Sequence, residues 1–288
     1  MQKNCPICGS DKTEIFSKYY FKSLFTHRYK CLDCGIIFSY PFINELELTK
    51  FYSENYSEFD GQQKLYCKEN ITKLIEDNKK NIDNIFGKTD QKKFRLLDAG
   101  CGPGTFSKAA EEIGWEVVSS ELSGKNIEFC KNHLGLKNVY QISPDKLEYE
   151  NYFHAVELWH VLEHVINAKS FLEKLNKMIV KNGIIHIGVP NIDNMYYKII
   201  RIYQQLRGKI PDIGTSPEHT FEFNEKSLVL LLKKCGFKIL KANIFEPEND
   251  LEINKTPVKY LIFKFIRIID KLKILKIGRH LEILAEKL

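Results

Sequence analysis

Apolar residues recur along this chain in two rhythms, and the change between them near residue 94 divides it. Between 64 and 86, Leu65, Ile71, Leu74, Ile75, Ile82 and Ile85 fall at helical spacing among Lys, Glu and Asn. This predicts an amphipathic helix that ends near Gly87. From Phe94 onward, short apolar runs alternate with amphipathic stretches. Strands are predicted over 94–99, 116–121, 138–142, 152–159, 183–189 and 237–245, and helices over 105–113, 123–134, 168–180 and 227–235. Such alternation builds βαβ units, so the expected class is α/β with a doubly wound, mostly parallel sheet.

Ahead of that region, the aromatic and β-branched stretch from Ile15 to Tyr29 fits a hairpin. Gly35 to Pro41 reads as a short strand stopped by its proline. At 288 residues the chain exceeds an average domain but is short for two large ones. The expected division is a cysteine module at 1–40, a helical linker or cap at 41–93, and an α/β domain at 94–245 with an insert at 193–217. A basic amphipathic helix and a final strand would follow at 246–288.

Composition narrows the class further. With 43% hydrophobic and 28% charged residues the chain is neither disordered nor fibrous. The net charge of +6 is local: residues 255–288 hold nine Lys and Arg against three Asp and Glu, and the rest balances at 34 each. No nucleic-acid partner is therefore expected. Residues 257–277 combine Leu261, Phe265, Ile268, Ile269, Leu272 and Leu275 with Lys259, Lys264, Arg267, Lys271, Lys273 and Lys276. A basic amphipathic helix of this kind can lie on a membrane surface; packing on the domain or on a second copy in an oligomer is the competing use. No run of 18 apolar residues occurs, so no span is expected. The opening Met-Gln-Lys-Asn-Cys has no apolar stretch of the secretory type. The expectation is a cytoplasmic chain, with the inner face of the membrane as the surface its basic helix would reach.

Four of the eight cysteines form two matching knuckles, Cys5-Pro-Ile-Cys8 and Cys31-Leu-Asp-Cys34, each followed by glycine and separated by 22 residues. A Cys-x-x-Cys turn aims two thiolates at one point, and two such turns close a tetrahedral Cys₄ zinc site. Redox pairs would sit in a βαβ context instead. Since protein fills all four positions, the zinc would be structural. Cys67, Cys101, Cys130 and Cys235 read as small core residues.

Asp98-Ala-Gly100-Cys-Gly102-Pro-Gly104 follows the first α/β strand directly and opens the first helix. Ligands of such sheets bind at the carboxyl ends of the strands, and glycines let the backbone turn tightly beside a ligand. The G-x-G-x-G spacing is neither the dinucleotide fingerprint nor a phosphate-cradling loop. Glu121, 17 residues past Gly104 at the end of the second strand, is placed to accept the hydroxyls of a ribose. A nucleoside-type cofactor is implied.

These residues, with Val161-Leu-Glu-His-Val165 and Gly188-Val-Pro-Asn191, resemble the class I S-adenosylmethionine-dependent methyltransferases over residues 94–245. The cysteine module, Pro41, Phe51-Tyr52…Tyr56, His219-Thr-Phe-Glu-Phe, Ser227-Leu and Gly236-Phe are similar to a bacterial subgroup with an N-terminal zinc ribbon. Many members of that subgroup act on sugars or cell-surface precursors. The resemblance implies a seven-stranded sheet closed by an antiparallel strand at Gly278–Ala285. It implies S-adenosylmethionine as cofactor, with Asp98, Gly100, Gly102 and Gly104 at its methionine portion, Glu121 at the ribose, Asp145 near the adenine, and Trp159 and His160 lining the pocket. The family's aspartate at the head of the fourth strand is replaced here by Phe153-His154.

Methyl transfer from a sulfonium is mostly proximity and orientation, and a hydroxyl acceptor adds the need for a base. His160, His164 and His219 are the candidates, because imidazole titrates near working pH. His154 and His186, within strands, read as structural. The marks of amide, adenine or cytosine methylation, Asn/Asp-Pro-Pro-Tyr and Pro-Cys, are absent. O-methylation of a sugar, cell-surface precursor or other small metabolite is the favoured reading. Tyr52, Tyr56, Tyr196 and Tyr197 are candidate acceptor contacts. The alternatives are a non-catalytic zinc-ribbon adaptor or nucleic-acid-binding protein, and a nicotinamide-dependent oxidoreductase, which the glycine spacing disfavours.

Overall fold

The apolar runs become the central strands of the sheet in a computed structural model of the chain. It describes residues 3–21, 24–42, 68–87, 94–208, 218–246, 264–265, 268–269 and 276–288. Tyr52 and Tyr56 and most of 257–277 lie outside the described residues.

The α/β domain comprises β4 (Arg95–Ala99), α2 (Thr105–Glu112), β5 (Glu116–Glu121), α3 (Gly124–Asn132), β6 (Val139–Gln141), β7 (Phe153–Trp159), α4 (Ala168–Met178), β8 (Ile179–Pro190), α5 (Met195–Leu206), β9 (Phe221–Glu222), α6 (Glu225–Lys234), β10 (Phe237–Phe245) and β11 (His280–Lys287). Ahead of them come β1 (Thr13–Phe21), β2 (Leu24–Cys31), β3 (Ile37–Tyr40) and α1 (Lys68–Phe86). The main sheet has seven strands in the order β10-β11-β8-β7-β4-β5-β6. Strands β4 to β8 run parallel, and β11 runs antiparallel to both β8 and β10. Strand β4 lies between β5 and β7, where the order of winding reverses, so the crevice of the fold opens over its carboxyl end.

Two boundaries differ from the sequence reading. Helix α4 stops at Met178 and β8 starts at once, four residues earlier than expected. Asn182 takes a left-handed conformation (φ 61°), and the pairing with β7 slips between Phe153↔Ile179 and Ala155↔Ile184. A bulge thus absorbs the polar Lys181-Asn182-Gly183 that read as a break. The insert carries α5, capped by the Asn194 side chain on Tyr197 N, and no residue of this helix is fully buried.

The N-terminal strands form a second sheet in the order β1-β2-β3-β9, so its last strand comes from the α/β domain. Ile37 pairs with Glu222 and Phe38 with Phe221. The hydrophobic core runs through this junction, joining Cys31, Ile36 and Phe38 to Phe221, Phe223 and Leu228. Helix α1 covers the opposite side of the main sheet, burying Ile71, Ile75 and Ile82 with Ala109, Ala110 and Trp115. Of the basic segment, Phe265 and Ile268 are exposed and Ile277 is buried against Met195 and Tyr196. No helix among the described residues is long and apolar enough to cross a membrane.

Candidate active site

A cavity of about 960 Å³ opens at the carboxyl ends of β4 and β7, as the strand order requires. The turn after β4 forms one wall. Its three glycines all have positive φ, but they serve different ends. A Cβ on Gly102 would meet nothing within 4 Å, so this position is open for a ligand. A Cβ on Gly100 would lie 2.4 Å from Val161 Cγ2. Gly104 does not line the cavity: a Cβ there would lie 2.6 Å from Cys130 Sγ, so packing against α3 demands this glycine.

Glu121 is 9% exposed and faces the cavity, held by three backbone donors. Its Oε1 accepts from Leu122 N (2.7 Å) and Ser123 N (2.8 Å), and Oε2 accepts from Gly102 N (2.8 Å). Burial pushes its carboxyl up, and these N–H groups pull it back. Asp98 accepts from Ser107 Oγ at 2.5 Å. Burial pushes Asp98 up to about 7; the Ser107 hydroxyl opposes this, while Glu157 and Glu121 add to it. Asp145 sits at the rim, bonded to Ser143 Oγ (2.5 Å) and Lys174 Nζ (3.1 Å).

The opposite wall is built from imidazoles and carboxylates. His160 has a left-handed backbone (φ 54°), fixed by its N–H donating to Gly188 O at 2.9 Å. Such a conformation in a non-glycine residue costs roughly 1–2 kcal/mol and is concentrated at functional positions. Its Nδ1 lies 3.0 Å from Glu163 Oε1. Glu163 is 1% exposed, and its Oε2 has no hydrogen-bond partner among the described residues. Burial alone would raise this carboxyl, but the His160 bond and the fields of His164, His160 and His219 hold it down to about 2. Burial depresses His164 to about 3, so its ring is neutral. The His164 and His219 rings meet edge to face with centroids 4.7 Å apart, and side-chain nitrogen and oxygen atoms of Glu163, His164 and His219 lie within 4.8 Å of one another. His219 Nδ1 is 3.1 Å from Glu222 Oε1. Burial would lower this imidazole; Glu222, with Glu163 and Glu218, outweighs it and the net shift is upward.

All three histidines named from the sequence therefore reach the cavity, as do Asp98, Gly100, Gly102, Glu121, Asp145 and Trp159. Trp159 stacks between His186 and His280, and Gly188 leaves room for its ring. Tyr196 and Tyr197 do not line the cavity; Tyr196 packs on Ile277, and Tyr197 lies with Ile37 and Ile192. Sequence reasoning missed Glu157, Glu163, Glu218 and His280 in the lining, and Glu222 behind it. Glu163 and Glu222 stood inside the quoted motifs, but nothing in their spacing marks them as partners of histidines.

The four N-terminal cysteines form a separate cluster. Cys5 and Cys34 Sγ are 3.6 Å apart, Cys8 and Cys31 Sγ 3.5 Å apart, and all four lie within 4.8 Å of one another. Zinc–sulfur bonds of about 2.3 Å in a tetrahedron separate sulfurs by roughly 3.8 Å, so this donor set fits Zn²⁺. Cys8 N and Cys34 N each approach the first sulfur of their own knuckle at 3.5 Å.

The sequence model of a family described as methyltransferase domain matches residues 59–242. The ubiquinone biosynthesis O-methyltransferase of Pelagibacter ubique is 31% identical over 217 residues, covering 70% of this chain and 84% of that protein. The protein of the same name from Rickettsia akari is 25% identical over 230 residues, covering 74% and 89%. Among solved structures, a SAM-dependent methyltransferase from Archaeoglobus fulgidus superimposes with TM-score 0.52 at 23% identity, covering 74% of this chain and 94% of that one. The magnesium protoporphyrin IX methyltransferase of Synechocystis PCC 6803, bound to SAH, gives TM-score 0.55 at 13% identity, covering 85% and 100%. These two likenesses concern the fold.

Proposed function

Because the chain belongs to the methyltransferase-domain family, we propose that it transfers the methyl group of S-adenosylmethionine to a hydroxyl oxygen of a small metabolite, with His219 as the base. The observation that carries this reading is the pairing of His219 with Glu222 on the cavity wall opposite Glu121 and the glycine turn. The named relatives are O-methyltransferases, which supports an oxygen acceptor. Sugars and cell-surface precursors remain the finer proposal for the acceptor class.

The glycine turn and Glu121 would hold the cofactor, which supplies an electrophilic methyl group when bound. Asp98 and Glu157 line the cavity, and Asp98 in its ionised form suits a cationic sulfonium compound. An ionised carboxylate only accepts, so Glu222 fixes the hydrogen of His219 on Nδ1 and leaves the Nε2 lone pair as the proton acceptor. His164, neutral beside it, adds no competing positive charge. Proton removal as the methyl group leaves is worth about 10²–10⁴ in rate. Zinc on Cys5, Cys8, Cys31 and Cys34 is proposed as a structural ion.

Calorimetric titration with S-adenosylmethionine should give one site per chain. A panel of nucleotide-sugars and small phenols, read by release of S-adenosylhomocysteine, should then identify an acceptor. His219→Gln should lower kcat on it at least about a hundredfold while cofactor affinity holds. Unchanged transfer by that variant would remove His219 from the chemistry, and no binding of S-adenosylmethionine would sink the reading.

A further inference from the structure

The N-terminal sheet reaches the methyl-transfer site through one buried arginine. Arg28, on β2, is 4% exposed, and its Nη1 donates to Glu222 Oε1 at 3.1 Å. That same oxygen lies 3.1 Å from His219 Nδ1. One carboxylate oxygen thus serves two cations or potential cations, and Arg28 and Glu222 are 194 residues apart in the chain. The backbone is tied as well: Ser39 N donates to Thr220 O (3.0 Å) and Ser39 Oγ to His219 O (3.2 Å).

We propose that Arg28 is a positioning residue of the transferase site, which holds Glu222 in place and shares its charge so that His219 keeps an unprotonated Nε2 toward the cavity. This rests on the reading of His219 as the base.

A buried carboxylate facing an imidazole favours the cation, and the cation has no lone pair with which to take a proton. The guanidinium withdraws part of that stabilisation from the imidazolium. The other groups facing His219 are Glu218 beside it, Glu163 and His164 on the turn after β7, and, across Glu222, the Tyr197 hydroxyl of α5. Glu163 and Glu218 push the imidazole the same way as Glu222 and burial pushes it the other way, while Arg28 is the cation that shares the Glu222 oxygen with it. The N-terminal sheet is then part of the catalytic apparatus rather than an attachment to it.

The test reads His219 directly and needs no acceptor. Two-bond ¹H–¹⁵N spectra of the full, zinc-loaded chain, with the His219 signals assigned by their loss in His219→Gln, report its tautomer and its titration. Arg28→Met should move the His219 pKa up by about one unit or more, and Glu222→Gln should move it down by a similar amount. Arg28→Lys, which keeps the charge, should titrate near wild type. Opposite shifts in the Met and Gln variants cannot arise from a general loosening of the junction. If Arg28→Met does not fold, Arg28→Lys and Glu222→Gln still decide: a Glu222→Gln protein whose His219 titrates as in wild type overturns the proposal. So does a folded Arg28→Met protein with an unshifted His219. Retained methyl transfer by His219→Gln would instead defeat the reading of the base, while leaving the Arg28 dependence measurable on its own.

Discussion

Glu157 and His186 face each other across β7 and β8, with His186 Nδ1 2.7 Å from Glu157 Oε2 and both side chains buried. The second ring nitrogen lies 2.9 Å from Glu282 Oε1 on β11. A ring with carboxylates on both nitrogens donates twice, which only the imidazolium can do. Burial would lower its pKa, but Glu157 and Glu282 outweigh this and raise it to about 9.

The stability linked to this pair follows from the direction of that shift. A histidine raised above its unfolded value of about 6.5 stabilises the fold fully below that pH and loses its contribution as pH climbs through about 9. Thermal melts should therefore show wild type weakening from about pH 7 to 10. His186→Gln should be destabilised by roughly 3–5 kcal/mol at pH 7 and lack that alkaline slope. A variant that keeps the same slope would refute the assignment.

Asp98 carries the opposite sign. A carboxyl raised to about 7 in the folded chain binds its proton more tightly there than when unfolded, so its burden on stability grows as pH rises from about 4 to 7. Asp98→Asn should melt no lower than wild type at pH 8. In the same variant S-adenosylmethionine affinity should fall and lose any rise seen in wild type near pH 7, as measured by calorimetry.

Glu121→Gln is expected to weaken cofactor binding by about 10–100-fold, because charged hydrogen bonds contribute roughly 1.5–3 kcal/mol. The amide would also turn one N–H group toward the backbone donors of Leu122, Ser123 or Gly102. Equal affinity in the variant would take Glu121 out of the cofactor site.

Gly100→Ala should fail for a packing reason that can be reversed. The added methyl would lie 2.4 Å from Val161 Cγ2 on a backbone with φ 78°. A loss of about 2–4 kcal/mol in stability is expected, and Val161→Ala in the same chain should restore part of it. If the double variant is no better than additive, the clash is not the cause.

Metal analysis of the purified chain should find one zinc, and Cys34→Ser should lower both zinc content and melting temperature. The cysteines are continuous with the main core, through Ile36 and Phe38 to Phe221 and Phe223, so the loss should reach beyond the N-terminal strands. Full stability after complete chelation would count against a structural ion.

Local pattern carried much of this protein in its sequence. Apolar runs gave the central strands β4, β5, β7 and β8, because each needs only its own residues to be buried on both faces. The turn after β4 and Glu121 announced a cofactor because their spacing reflects one βα unit, and the two Cys-x-x-Cys pairs announced a ligand set in the same way. Short-range rules could not show that Phe221–Glu222 would complete the N-terminal sheet, or that Gly104 faces Cys130 rather than the cavity. Nor could they join Arg28 to Glu222 and His219, or His186 to Glu157 and Glu282. Those groups come from distant stretches of chain and meet only when the sheets have formed, and burial then makes the pairing of their charges compulsory. The sequence by itself determined what kind of cofactor site is built; the tertiary structure decided which charged groups surround its histidines, because only packing brings those groups together.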